Sequence, residues 1–247
     1  MQLRFRAAFG DSVRFKLIDY PGWRQMMAAD CDFDAIVDAA FEQICADGPQ
    51  PAYRLAGYSY GGIVAYELAR RLEASGRQVD LVALLDTRRW DVADERPLWR
   101  ADQMLPEMRL SSRLLAPLIT FLVRARAYAL LRVGCTLLTR HSNRMAFRFR
   151  NRMTKDLRFE ALRHWRAQAL RAPVTLFLSS DAWPGEPDGY GWQNLCENLT
   201  MVHVGGTHAS IIDKPWRETI AVHIQQALEE RGAALGLSAL RDAREIA

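Results

Sequence analysis

Gly57-Tyr58-Ser59-Tyr60-Gly61-Gly62 carries the reading of this sequence. A serine between two glycines fits the G-x-S-x-G nucleophile elbow, a sharp strand-to-helix turn that presents the serine Oγ to a cleft. The spacing has a steric reason. The backbone approaches itself closely around the serine, so the flanking elbow positions Gly57 and Gly61 leave little room for side chains. The context agrees: Ala52 to Tyr58 reads as a short strand, and Gly62 to Ala74 as a helix that stops near Gly76. Such a helix points its positive end at Ser59, and the Tyr60 N–H is placed to donate to an oxyanion forming beside it.

Outward from the elbow, Val79 to Leu85 is an unbroken apolar run after Asp80, as expected of a strand covered on both faces of a parallel sheet. Upstream, Val13 to Tyr20 reads as a strand before the turn Pro21–Gly22. Asp34 to Ala46 has helical apolar spacing at Ile36, Val37, Ala40, Phe41 and Ile44. Downstream, residues 88–171 read as several helices rich in Leu, Ala and Arg. Val174 to Ser179 and Leu199 to Val204 are further strands, and Pro215 opens a closing helix to about Glu230, with a frayed helical tail after Gly232. Strands alternating with helices, with one helical interruption, predict an α/β fold with a mostly parallel sheet and an inserted helical lid. The predicted division is 1–87 for the N-terminal part of the core, 88–171 for the basic lid, 172–230 for the C-terminal part of the core and 231–247 for a tail.

The 247 residues are 49% hydrophobic and 25% charged, which suits a globular core rather than disorder. The net charge of +4 is unevenly spread. Residues 88–171 hold 19 Lys/Arg against 7 Asp/Glu, a surplus of +12, so the remainder carries −8. A basic segment of this kind suits an acidic partner or a solvated helical face. No helix-turn-helix, finger or stacking motif points to nucleic acid. Cys31, Cys45, Cys135 and Cys196 form no C-x-x-C pair and have no matching histidine, so neither a disulfide framework nor a metal site is expected, and a cytoplasmic location fits. The N-terminus lacks the apolar core of a signal peptide. Leu114 to Leu138 is apolar, but Arg124, Arg126 and Arg132 within it would each cost roughly 2.5–3.5 kcal/mol at mid-bilayer, so no membrane span is expected.

A serine nucleophile needs a base. Of five histidines, His208 stands out, in Gly205-Gly206-Thr207-His208 just after the last strand. The chain order serine, acid, histidine places it there. His141 and His164 fall in the basic segment, and His203 and His223 within a strand and a helix. Two aspartates compete to orient the imidazole: Asp86 after Leu84-Leu85, and Asp181 after Ser179-Ser180. Both follow strand ends, where catalytic groups of parallel sheets gather, and position alone leaves both open.

These residues resemble a known family. Gly57 to Asp86, with Ala65-Tyr66-Glu67-Leu68-Ala69 and Leu84-Leu85-Asp86-Thr87, is similar to the thioesterase domains of nonribosomal peptide and polyketide synthases. Gly205-Gly206-Thr207-His208 followed by Lys214-Pro215-Trp216 resembles the family's histidine loop. The likeness runs from Val13 to Leu228 outside the variable lid. It implies an α/β-hydrolase fold and a triad of Ser59, His208 and Asp86 in preference to Asp181. It also implies an acyl or peptidyl chain received from the phosphopantetheine thioester of a carrier protein, with no cofactor of the enzyme's own. One departure is expected. The family opens with a strand and a loop carrying a second oxyanion donor, whereas Met1 to Gly10 reads as the helix after that loop, so the first strand and half of the oxyanion hole are expected to be missing. Two other readings compete with the thioesterase: a carboxylic-ester hydrolase using the same triad, and a degenerate carrier-binding module without catalysis.

Overall fold

The computed structural model describes residues 5, 8, 9, 15–29, 31–90, 110–180 and 188–245. The chain forms two units: residues 1–18, 45–89 and 167–247 in the first, and 19–44 with 90–166 in the second. Among the described residues, the first is built on four strands, β1 (Tyr53–Tyr58), β2 (Val79–Leu85), β3 (Val174–Leu178) and β4 (Leu199–His203), hydrogen-bonded in sequence order and all parallel. Every residue of β2 is buried, which is why its sequence shows no alternation. Successive side chains leave a strand on opposite faces. Leu81, Ala83 and Leu85 join Phe177, Ile220, Ala221 and Ile224 in one core cluster. Val82 and Leu84 therefore face the other side of the sheet.

The helix after β1, Tyr60–Ala74, packs on β1 and β2. In chain order it is α3, following α1 (Trp23–Ala29) and α2 (Phe33–Cys45). The predicted strand at Val13 to Tyr20 is corrected: its described part, 15–20, lies in no strand. The alternating pattern has other partners. The Phe15 ring packs edge-on against Phe5 and Phe9. Farther along, the Asp19 N–H donates to Gln43 Oε1 at 3.0 Å, and the Asp19 carbonyl accepts from Gln43 Nε2 at 2.8 Å. One side-chain amide thus takes both groups a ladder would have used. Most of the segment 1–10 lies outside the described residues.

The second unit is helical. Its α4 (Leu110–Arg124), α5 (Tyr128–His141) and α6 (Asn143–Ala161) pack on one another, and α1 packs on α6. α2 buries Ile36, Val37, Ala40 and Ile44 of the stripe its sequence spacing predicts, together with Phe33, while Phe41 is only partly buried. Asp156 is buried and accepts from Arg152 Nε and Thr120 Oγ1, each at 2.9 Å. Residues 19–44 group with 90–166, and 88–89 and 167–171 group with the sheet. The last helix, α7, runs without interruption from Trp216 to Glu245 through Gly232 and Gly236. No helix among the described residues is long and apolar enough to cross a membrane.

Candidate active site

The elbow exists, and its glycines are there for space. Ser59 sits between β1 and α3 at φ 53°, ψ −122°, a conformation that side chains rarely adopt. Its N–H still donates to the Leu85 carbonyl at 2.9 Å, so the bend is anchored to β2. A Cβ on Gly57 would fall 2.1 Å from the Gly61 carbonyl oxygen, and one on Gly62 would fall 1.9 Å from Thr87 Oγ1. The two close approaches are thus Gly57 against the backbone of Gly61, and Gly62 against the residue after Asp86. Tyr60 opens α3, which sets its N–H at the positive end of the helix beside Ser59.

Three sequence-predicted groups meet at the carboxyl edge of the sheet. His208 Nε2 lies 3.1 Å from Ser59 Oγ, and His208 Nδ1 lies 2.7 Å from Asp86 Oδ2. An ionised carboxylate only accepts, so Nδ1 carries the proton and Nε2 is left to accept from the serine hydroxyl. Asp181 lies outside the described residues. His223 Nδ1 lies 2.8 Å from the Thr219 carbonyl within α7, and His203 belongs to β4. His164 ends a short helical turn in the second unit.

Asp86 is buried, with positive φ at the end of β2. Burial alone would raise its carboxyl pKa. The hydrogen bonds from His208 and from the N–H and hydroxyl of Ser179 outweigh that and hold it below the ordinary carboxylate value. Both Ser179 donors lie at 3.0 Å, and the Tyr190 hydroxyl donates at 3.2 Å.

Ser179 and Tyr190 are the neighbours that sequence reasoning missed. Ser179 is reached because β3 pairs with β2 and ends beside it. Tyr190 is held in a left-handed turn between Gly189 and Gly191, with φ 53°. Trp192 Nε1 donates to the Thr87 carbonyl at 2.7 Å, and an Arg89 Nη1 bond of 2.6 Å to the Gly191 carbonyl pins the same turn to the end of β2. The only sequence signal was an aromatic residue between two glycines in a Pro/Gly-rich loop. No cluster of metal-ligating side chains occurs among the described residues.

Residues 3–228 match the family model of the Thioesterase domain. The chain belongs to that family. Among relatives of this thioesterase domain, the polyketide synthase GfsE of Streptomyces halstedii is 26% identical over 218 residues, 87% of this chain and 5% of that protein. The atromentin synthetase invA1 of Paxillus involutus is 50% identical over 48 residues, 19% of this chain and 5% of that protein. The thioesterase domain therefore spans about a twentieth of these relatives' length. Its fold is similar to that of ClbQ from the colibactin nonribosomal peptide/polyketide pathway, with a TM-score of 0.63, 15% identity, and coverage of 94% of this chain and 92% of that one.

Proposed function

We propose that this thioesterase domain releases an acyl or peptidyl chain from the phosphopantetheine thioester of a carrier protein, with Ser59 as nucleophile, His208 as base and Asp86 as the group that holds the imidazole. The observation that carries the reading is the continuous line Asp86–His208–Ser59, at 2.7 and 3.1 Å, on a strained elbow. In this account His208 Nε2 takes the Ser59 proton as Oγ adds to the thioester carbonyl. The Tyr60 N–H then supports the oxyanion. Collapse expels the thiol, which receives the proton from the imidazolium. Water, or a nucleophile within the chain itself, repeats the sequence on the acyl-enzyme and frees Ser59. Asp86 stays ionised throughout, in keeping with its depressed pKa. The carrier protein as partner is supported by membership in the thioesterase family and by likeness to a polyketide synthase of which this chain spans a twentieth.

A fluorophosphonate probe tests the reading. Wild type should gain one phosphonyl group on the peptide containing Ser59, and Ser59→Ala should gain none. An unlabelled wild type that is folded by circular dichroism would favour the non-catalytic carrier-binding alternative. Matched oxygen-ester and thioester substrates separate the thioesterase from a carboxylic-ester hydrolase.

A further inference from the structure

Tyr58, the residue between Gly57 and Ser59, touches the histidine twice. Its hydroxyl donates to the His208 backbone carbonyl at 2.6 Å. Its ring stacks on the imidazole, with centroids 5.0 Å apart and planes 27° from parallel. Both contacts arise within the first unit and span 150 residues of sequence. We propose that Tyr58 is a positioning residue for His208: its hydroxyl fixes the loop at the histidine's own backbone, and its ring face supports the imidazolium that forms when Ser59 gives up its proton. The inference rests on the assignment of His208 as base.

Tyr58 bears on the imidazole in two ways. The first concerns aim. His208 is carried by a loop that starts with Gly205 and Gly206, both at positive φ. A Cβ on either would run into the Trp216 ring. Trp216 packs against both glycines and the Ser180 N–H donates to the Gly206 carbonyl at 2.8 Å, so the loop is held before His208, and Tyr58 supplies the contact at the histidine itself. A hydrogen bond to the backbone of the histidine itself sets the height of the imidazole above Ser59, while Asp86 sets its rotation. The second concerns charge. The negative face of an aromatic ring attracts a cation above it, so a stacked phenol favours imidazolium over imidazole. The phenol stays neutral while it does so, since burial, then Asp86 and Asp213, push its pKa up to about 12. Asp86 at the end of β2 bonds the imidazole, Tyr190 donates to Asp86, and Asp213, downstream of the histidine loop, acts by its charge on the Tyr58 hydroxyl.

The test is the rate of fluorophosphonate labelling of Ser59 as a function of pH, on the whole chain, for wild type, Tyr58→Phe and Tyr58→Leu. Circular dichroism melting serves as the folding control. The rate is read on both sides of its pH midpoint. Tyr58→Phe keeps the ring and loses the hydroxyl, so the plateau rate should fall about three- to tenfold with the midpoint unmoved. Tyr58→Leu loses both contacts. Its plateau should fall more than tenfold, and its midpoint should drop by about 0.4–0.7 pH unit, because the imidazolium loses its ring face. A purely space-filling tyrosine gives the opposite sign for Tyr58→Leu, since water entering the gap stabilises the imidazolium and raises the midpoint. A raised or unchanged midpoint in Tyr58→Leu, or plateau rates within twofold of wild type, overturns the inference while leaving Ser59 labelled. Absence of label on wild-type Ser59 overturns the functional reading itself.

Discussion

Asp86 receives four donors, from His208, the Ser179 N–H, the Ser179 hydroxyl and Tyr190. That crowding makes it both an orienting group and a contributor to stability. Asp86→Asn should keep the fold and lower kcat by roughly 10⁴, because an amide no longer selects the Nδ1–H tautomer of His208. Its pKa is depressed in the folded state. The ionised carboxylate therefore stabilises the protein above the ordinary carboxylate pKa of about 3.9, and the contribution disappears as pH falls through the folded value. Melting curves of wild type and Asp86→Asn should thus differ most near neutral pH and converge below about pH 4. A gap that widens on acidification would reverse the sign. The serine, the histidine and the competition between two aspartates were legible in the sequence, because strand ends and chain order restrict where such groups sit. Ser179 and Tyr190 were not, since a donor to a carboxylate leaves no motif and is assigned only by which strands are neighbours.

The elbow is the element on which the geometry turns, and its two tight glycines fail in different ways. At Gly57 the obstacle to a Cβ is the backbone of Gly61; at Gly62 it is the side chain of Thr87. Backbone cannot move aside without unwinding the first turn of α3. Gly57→Ala should therefore cost about 3 kcal/mol or more, a fall in Tm of roughly 6–12 °C for a chain of this size. Gly62→Ala should also destabilise, but Thr87→Gly should relieve part of that strain, with a favourable coupling of about 0.5–3 kcal/mol in a double-mutant cycle by thermal or urea unfolding. Equal and additive effects would place the crowding elsewhere. The elbow strand, α3 and β2 were legible for a shared reason: an unbroken apolar run beside a glycine-framed serine has few other folds open to it. Residues 15–20 were misread because alternation does not reveal whether a partner strand exists, and here Gln43 satisfies the Asp19 backbone instead. The closing helix was expected to end near Glu230 because glycine often stops a helix, yet α7 continues through Gly232 and Gly236 to Glu245.

Charge is spread unevenly along the chain. Residues 110–164 hold twelve Lys/Arg and two Asp/Glu, a surplus of +10. Both acids already have arginine partners: Asp156 meets Arg152, and Glu160 meets Arg163 and Arg124. If this surplus attracts an acidic carrier protein, release of a carrier-bound acyl chain should slow as salt shortens the Debye length from about 10 Å at 0.1 M to about 3 Å at 1 M. Hydrolysis of a small free thioester should change little over the same range. Equal salt responses would leave the arginines as a solvated face. That partner matters only if the domain performs acyl transfer through Ser59. The most direct measurement is mass spectrometry of the intact protein, quenched within the first turnovers on an acyl thioester. A species heavier by one acyl group should appear, mapped to the peptide containing Ser59 and absent from Ser59→Ala. Thiol release at the wild-type rate from Ser59→Ala, or an acyl adduct that persists on that variant, would contradict it.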